Sequence, residues 1–268
     1  MKLFFREYGH QGSKLIILHG LYGASDNWVS IARQLENDYH VYILDQRNHG
    51  QSPHSTEMNY DVMANDLKLF YEDQNIDKAH LIGHSMGGKT AMRFALENPQ
   101  LIDKLVILDI APKSYASFSN YAQITNNHAG IIKAMQAVDV QGVNSRKDID
   151  TQLSKQLDND KLRHFLLKNI ERKKDGTYQW RLNLAIISKS LETLMDGFSG
   201  LSPNECKVSL PSIFIRGENS GYVMDEDTLI IRKFFKDAEV VSIPEAGHWL
   251  HAEQPTLLVK TLAYFLLD

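Results

Sequence analysis

An apolar strand from Ala79 to Ile82 runs straight into Gly83-His84-Ser85-Met86-Gly87-Gly88, with a helical pattern starting near Met86. That order is restrictive. A strand must give way to a helix within a turn so sharp that glycines are needed on both sides of the serine. Such a unit needs a sheet whose strands are covered by helices. The rest of the first 111 residues keeps the same rhythm: Lys14 to Leu18 ends in His19-Gly20, His40 to Leu44 ends at Asp45, and Leu105 to Leu108 ends at Asp109. Between the strands, Ser25 is the expected N-cap of a segment carrying Trp28, Ile31 and Leu35, and Tyr60, Met63, Leu67 and Phe70 form a second apolar stripe. The helix near Met86 must stop before Pro99, because the residue before proline is pushed out of the α region. This alternation predicts an α/β chain with a mostly parallel, doubly wound sheet, whose sites lie beyond the carboxyl ends of the strands.

From Pro112 to about Glu205 the rhythm breaks into polar helical segments, at Gln152 to Leu157, Leu162 to Asn169 and Leu182 to Met195. This stretch carries 13 Lys+Arg against 10 Asp+Glu, while the remainder carries 16 against 23, a contrast in sign that marks a separate helical cap. The expected division is a core of residues 1–111 and 206–268 with a cap of residues 112–205. Sheet rhythm returns at Ile213 to Ile215 and Gly217, followed by a helix over Leu229 to Phe235, a strand over Val240 to Ile243 and a last helix from Gln254 to Leu267. A net charge of -4 gives no support for nucleic-acid binding, and 43% apolar residues exclude a largely disordered chain. Cys206 is the one cysteine, so there is no internal disulfide and no cysteine-rich metal pattern. Charge arrives too early after Met1 for a signal peptide, and no apolar run is long enough to span a bilayer, so the expected compartment is the cytoplasm. Neither a cofactor nor a metal site is expected.

The serine turn would project the Ser85 Oγ above the sheet and aim the Met86 N–H at a developing oxyanion. A simple tight turn that happens to contain serine is the bland reading. Gly83 to Thr90 is also a literal G-x-x-x-x-G-K-[ST] match, in which Lys89 would bind phosphates and Thr90 Mg²⁺. Distant residues separate the readings. His19-Gly20-Leu21-Tyr22-Gly23 follows an early strand, where the Leu21 N–H is a second oxyanion donor and His19 orders the loop. Glu245-Ala246-Gly247-His248-Trp249 follows the last predicted strand and offers His248 as a base, with His251 as its nearby competitor.

Taken with Asp45-Gln46-Arg47-Asn48-His49-Gly50-Gln51-Ser52, these motifs resemble serine hydrolases of the α/β-hydrolase superfamily along nearly the whole chain, and more narrowly small bacterial acyl esterases and related mitochondrial proteins. The resemblance implies Ser85 as nucleophile, His248 as base, the N–H groups of Leu21 and Met86 as oxyanion donors, and a structural Asp45–Ser52 loop. Many superfamily members carry their acid in a G-x-x-D pattern. Here Gly217-Glu218-Asn219-Ser220 puts serine at that place. Asp109, at the end of the strand after the nucleophile helix, is the position the esterase relatives use, with Glu218 and Asp225 as alternatives.

The implied chemistry is hydrolysis of short to medium acyl esters, or of acyl thioesters, through an acyl-enzyme. Phe118, Tyr121, Ile131, Ile132, Met135 and Phe165 are candidates for the acyl pocket or for cap packing, and Trp180 and Leu184 for packing first and acyl contact second. Arg172, Lys173 and Lys174 would suit an anionic leaving group or form a solvated face. The expected partner is a small-molecule ester or thioester, with oligomeric state open. A nucleotide-binding protein using Gly83 to Thr90 and a non-catalytic binding protein of the same fold are the alternatives.

Overall fold

The computed structural model describes residues 1–115, 122–202 and 207–267, so Phe118, Tyr121 and Cys206 lie outside the described residues. The strands are β1 (Phe5–Tyr8), β2 (Ser13–Leu18), β3 (Tyr39–Leu44), β4 (Ala79–His84), β5 (Ile102–Leu108), β6 (Ile170–Arg172), β7 (Tyr178–Trp180), β8 (Ser212–Gly217) and β9 (Glu239–Ile243). Among the described residues, seven of them form one sheet in the order β1-β3-β2-β4-β5-β8-β9. Every pairing in it is parallel except β1 with β3.

Period-two alternation explains why the central strands read as unbroken apolar runs. In β2, Leu15 and Ile17 face one core while Ile16 and Leu18 face the other; in β5, Val106 and Leu108 oppose Leu105 and Ile107. The helices are α1 (Val29–Leu35), α2 (Tyr60–Asp73), α3 (Met86–Glu97), α4 (Ala122–Gln136), α5 (Arg146–Leu153), α6 (Asp160–Leu167), α7 (Leu184–Asp196), α8 (Asp227–Phe234), α9 (Leu250–Glu253) and α10 (Pro255–Leu267). One face of the sheet is covered by α1 and α10, through Ile31, Leu35, Leu258 and Leu262. The other is covered by α2, α3 and α8, and its core runs on into α4 to α7 without a break. The doubly wound sheet with a helical insertion is as the sequence predicts. Among the described residues no helix is long and apolar enough to cross a membrane.

Several local expectations are corrected. Ser25 is not an N-cap but opens a short 3-10 turn over Ser25–Trp28; its N–H donates to Asp45 Oδ1 at 2.6 Å and its Oγ accepts from Arg6 Nε. The helix expected over Gln152 to Leu157 lies earlier, as α5, because Ser145 and Asp148 form a reciprocal capping box at its start. Strand β1 escapes sequence reading because it is a half-exposed edge strand with little alternation. The insertion also contains the antiparallel β6–β7 hairpin, whose turn places Lys173 and Lys174 in solvent.

Sheet order fixes where a site can form. The chain leaves β2 for β3 on one side and then returns to β4 on the other, so the loops after β2 and β4 diverge at a crevice above their carboxyl ends.

Candidate active site

Ser85 stands at the corner between β4 and α3 with φ 53° and ψ −116°, a conformation that a side chain bearing Cβ seldom adopts. The corner is that sharp because the first turn of α3 presses on the end of β2. A Cβ on Gly87 would lie 2.5 Å from the carbonyl oxygens of both Leu18 and His19, so only glycine permits the approach. Leu21 and Met86 consequently border the same small space beside Ser85. Met86 is the first residue of α3, where a helix leaves its N–H groups without an intrahelical acceptor.

His248 follows β9 and reaches across the crevice. Its Nδ1 lies 2.7 Å from Asp109 Oδ2 and its Nε2 lies 3.1 Å from Ser85 Oγ. Asp109 can only accept, so the network assigns the proton to Nδ1 and leaves Nε2 to accept from the serine hydroxyl. Asp109 is fully buried and takes two further donors, the Gly217 N–H at 3.2 Å and the Ser220 hydroxyl, which satisfy its lone pairs. The serine standing where many superfamily members carry aspartate therefore hydrogen-bonds the carboxylate that contacts His248. Neither alternative acid reaches the imidazole: Glu218 accepts from the Glu245 N–H at 3.0 Å, and Asp225 pairs with Arg216 at 2.5 Å.

Three further side chains bear on His248. Tyr222 stacks on its ring with centroids 3.9 Å apart and planes 16° from parallel, and Tyr222 Oη lies 3.0 Å from His128 Nε2 on α4. Below, His84 Nε2–H donates to the His248 carbonyl at 2.8 Å. Burial keeps both supporting imidazoles neutral, pulling His128 down to about 4 and His84 well below its ordinary value. Burial, with the Asp109 charge nearby, raises the Tyr222 phenol so that it stays protonated. Ser220 lies at a place the sequence marked. Tyr222 and His128 carried no sequence signal, since a tyrosine two residues past a turn and a histidine in a polar helix are common.

His19 is buried, with Nδ1–H donating to the Gly20 carbonyl at 2.9 Å and Nε2 accepting from the Gln46 N–H at 3.0 Å; burial lowers it to about 4. It orders its loop, as expected. His251 stacks on Trp28 at 4.4 Å, and burial lowers it to about 3; it makes no hydrogen bond to Ser85 or Asp109. The Asp45 loop is tied down by the Asp45 carboxylate accepting from Ser25 and Gln51 and by a bidentate bond from Arg47 to Asp66 at 2.6 and 2.9 Å.

The phosphate-loop reading of Gly83 to Thr90 fails on Lys89. Its Nζ is buried and its three protons are taken up by the carbonyls of Lys113, Met195 and Asp196 at 2.9, 2.9 and 2.6 Å, while Thr90 Oγ1 donates to Gln46 Oε1 at 2.9 Å.

Ser85 and His248 open on a cleft of about 520 Å³ whose walls include Leu21, Tyr22, Ile131, Leu157, Phe165 and Trp249. Of the expected lining, Ile131 and Phe165 are on the wall. Met135 and Ile132 are buried in the core instead, because α4 packs this face against α7, and Trp180 at the end of β7 packs against the same core. Arg172, Lys173 and Lys174 do not line the cleft. The arrangement has the parts of acyl transfer: a hydroxyl, an imidazole bonded to it, a carboxylate holding that imidazole, and N–H groups beside the hydroxyl.

Comparisons with known proteins identify the family and the fold. A family model described as alpha/beta hydrolase fold matches residues 14–138. The chain is 37% identical over 258 residues to the sn-1-specific diacylglycerol lipase ABHD11 of Danio rerio, covering 94% of this chain and 78% of that one. It is 35% identical over 261 residues to Esterase YbfF of Escherichia coli (strain K12), covering 97% and 95%. A solved structure described as a marine microorganism esterase superposes with a TM-score of 0.93 at 47% identity, covering 98% of this chain and 99% of that one.

Proposed function

The chain belongs to the α/β-hydrolase family, and on that premise we propose that it is a serine esterase cleaving short to medium acyl esters through an acyl-enzyme on Ser85. The observation that carries the reading is the continuous hydrogen-bonded line from Asp109 through His248 to Ser85 at the wall of an apolar cleft. In this reading the Ser85 Oγ attacks the acyl carbonyl while His248 Nε2 takes its proton. Asp109 holds the imidazole in the tautomer that can accept, and stabilises the imidazolium that results. Negative charge develops on the carbonyl oxygen toward the N–H groups of Leu21 and Met86. The imidazolium then gives its proton to the leaving alcohol, and water deprotonated by the same nitrogen releases the acid. Acyl thioesters form a second substrate class, since a thiol leaves by the same route. Relatives whose names are esterase and sn-1-specific diacylglycerol lipase support ester cleavage as the reaction.

The test is intact-protein mass spectrometry after fluorophosphonate treatment, with p-nitrophenyl acetate and butyrate hydrolysis followed on the same samples. Wild type is expected to gain a single adduct and turn over both esters, and Ser85→Ala to lose both properties. A folded wild-type protein that neither labels nor hydrolyses would overturn the reading.

A further inference from the structure

Glu7, His10 and His40 meet at the amino-terminal edge of the sheet, the opposite end of the strands from Ser85. His40 Nε2 lies 2.5 Å from Glu7 Oε1, and the His10 and His40 rings stand 5.8 Å apart at 69°. One ligand atom from each of the three falls within 4.8 Å of the other two. We infer that these side chains form a binding site for one divalent transition ion of the zinc type.

The backbone builds the cluster. Strand β1 pairs antiparallel with β3, placing Glu7 opposite Tyr42; His40, two residues before Tyr42, projects from the same face. His10 sits in the turn between β1 and β2. That turn is clamped onto the segment entering β3, since a Cβ on Gly9 would lie 2.4 Å from the carbonyl oxygens of both Glu36 and Tyr39. The two histidine-bearing segments are thus in register before any ion arrives. The Tyr42 ring packs on the His40 ring at 4.5 Å and its hydroxyl lies 3.5 Å from Nδ1, which turns Nε2 toward Glu7. An outer contact of this kind orients metal-binding imidazoles.

The donor set decides the class of ion. Two imidazoles and one carboxylate suit zinc and its neighbours, whereas calcium and magnesium demand oxygen ligands throughout. Three protein ligands leave a coordination position for water. Glu7 and His10 are exposed, so an ion reaches the cluster directly from solvent. Because the ligands come from β1, the turn after it and β3, a bound ion cross-links the edge strand to its neighbour and stabilises the folded chain, with no part in ester cleavage.

Titration of tag-free, chelator-treated protein with ZnCl₂ by calorimetry, together with thermal midpoints with and without zinc, tests the site. Wild type is expected to bind one Zn²⁺ per chain in the micromolar range and to melt at a higher temperature with zinc. His10→Ala and His40→Ala should each lose both effects while melting as wild type does in chelator. Tyr42→Phe should bind about tenfold more weakly. Absence of saturable binding in wild type, or retention of the bound equivalent in either histidine variant, overturns the site. Hydrolysis at one equivalent of zinc should be unchanged, and loss of it would place the ion at His248 instead.

Discussion

Tyr222 lies flat on the imidazole that bridges Asp109 and Ser85, and its hydroxyl is bound to His128 of α4. Two separable contributions follow from that geometry: the ring restrains the imidazole by stacking on it, and the hydroxyl links its position to the insertion. A ring contact of this type is worth about 1 kcal/mol, so Tyr222→Leu should lower kcat by about fivefold, with KM little changed. Tyr222→Phe keeps the ring and should stay within about twofold of wild type, since it loses one hydrogen bond outside the reacting atoms. Steady-state kinetics of the two variants, with pH profiles, checks this; equal losses in both would assign the effect to the hydroxyl.

At the scale of elements, Lys89 joins α3, the helix that follows Ser85, to both ends of the insertion. It donates to Lys113 just after β5 and to Met195 and Asp196 at the end of α7, with the rings of Tyr60, Tyr115 and Phe198 around its ammonium. Burial pulls it down to about 7, opposed by the nearby Asp196 charge. Other ties hold the insertion along its length: Asn169 Nδ2 donates to the Tyr22 carbonyl at 2.7 Å, and the Asn183 N–H to the Asn48 carbonyl at 3.0 Å. Lys89→Met would strand three carbonyls and should cost about 3 kcal/mol, read as a fall in the denaturation midpoint. Fluorophosphonate labelling of Ser85 should survive below that midpoint. The sequence pattern at Lys89 matched a phosphate loop because strand, turn and helix are common to both architectures; only the direction of the side chain distinguishes them.

For the whole molecule, burial of several neutral imidazoles sets the response to acid. Burial lowers His19 to about 4 and His49 and His251 to about 3, while the same groups in the unfolded chain take up protons near 6.5. Below 6.5 the unfolded state therefore binds more protons, so stability is fully present above that pH and is lost as the pH falls toward the folded values. Each such histidine should cost about 2 kcal/mol by pH 5. Denaturant midpoints measured from pH 8 to pH 5 should be flat above about pH 7 and fall steeply below it. A midpoint unchanged down to pH 5 would show that these imidazoles are not buried as neutral groups.

What the sequence alone determined was the part of this protein written in local pattern. Apolar runs ending in His19, Asp45, Ser85 and Asp109 define strands and place those residues at carboxyl ends, because strand length and turn chemistry are properties of a few adjacent residues. Edge strand β1 and the β6–β7 hairpin were not legible, since short, half-exposed strands carry little periodic signal. Only the tertiary structure decided which distant groups meet. Asp109, rather than Glu218 or Asp225, contacts His248 because β5 and β8 are neighbours in the sheet and the Gly217 N–H and Ser220 hydroxyl hold the carboxylate toward the crevice. Met135 on α4 and Trp180 on β7 likewise pack against the core and do not line the cleft, as the rotation of a helix and the placement of a short hairpin within a packed insertion are set by their neighbours and not by their own residues.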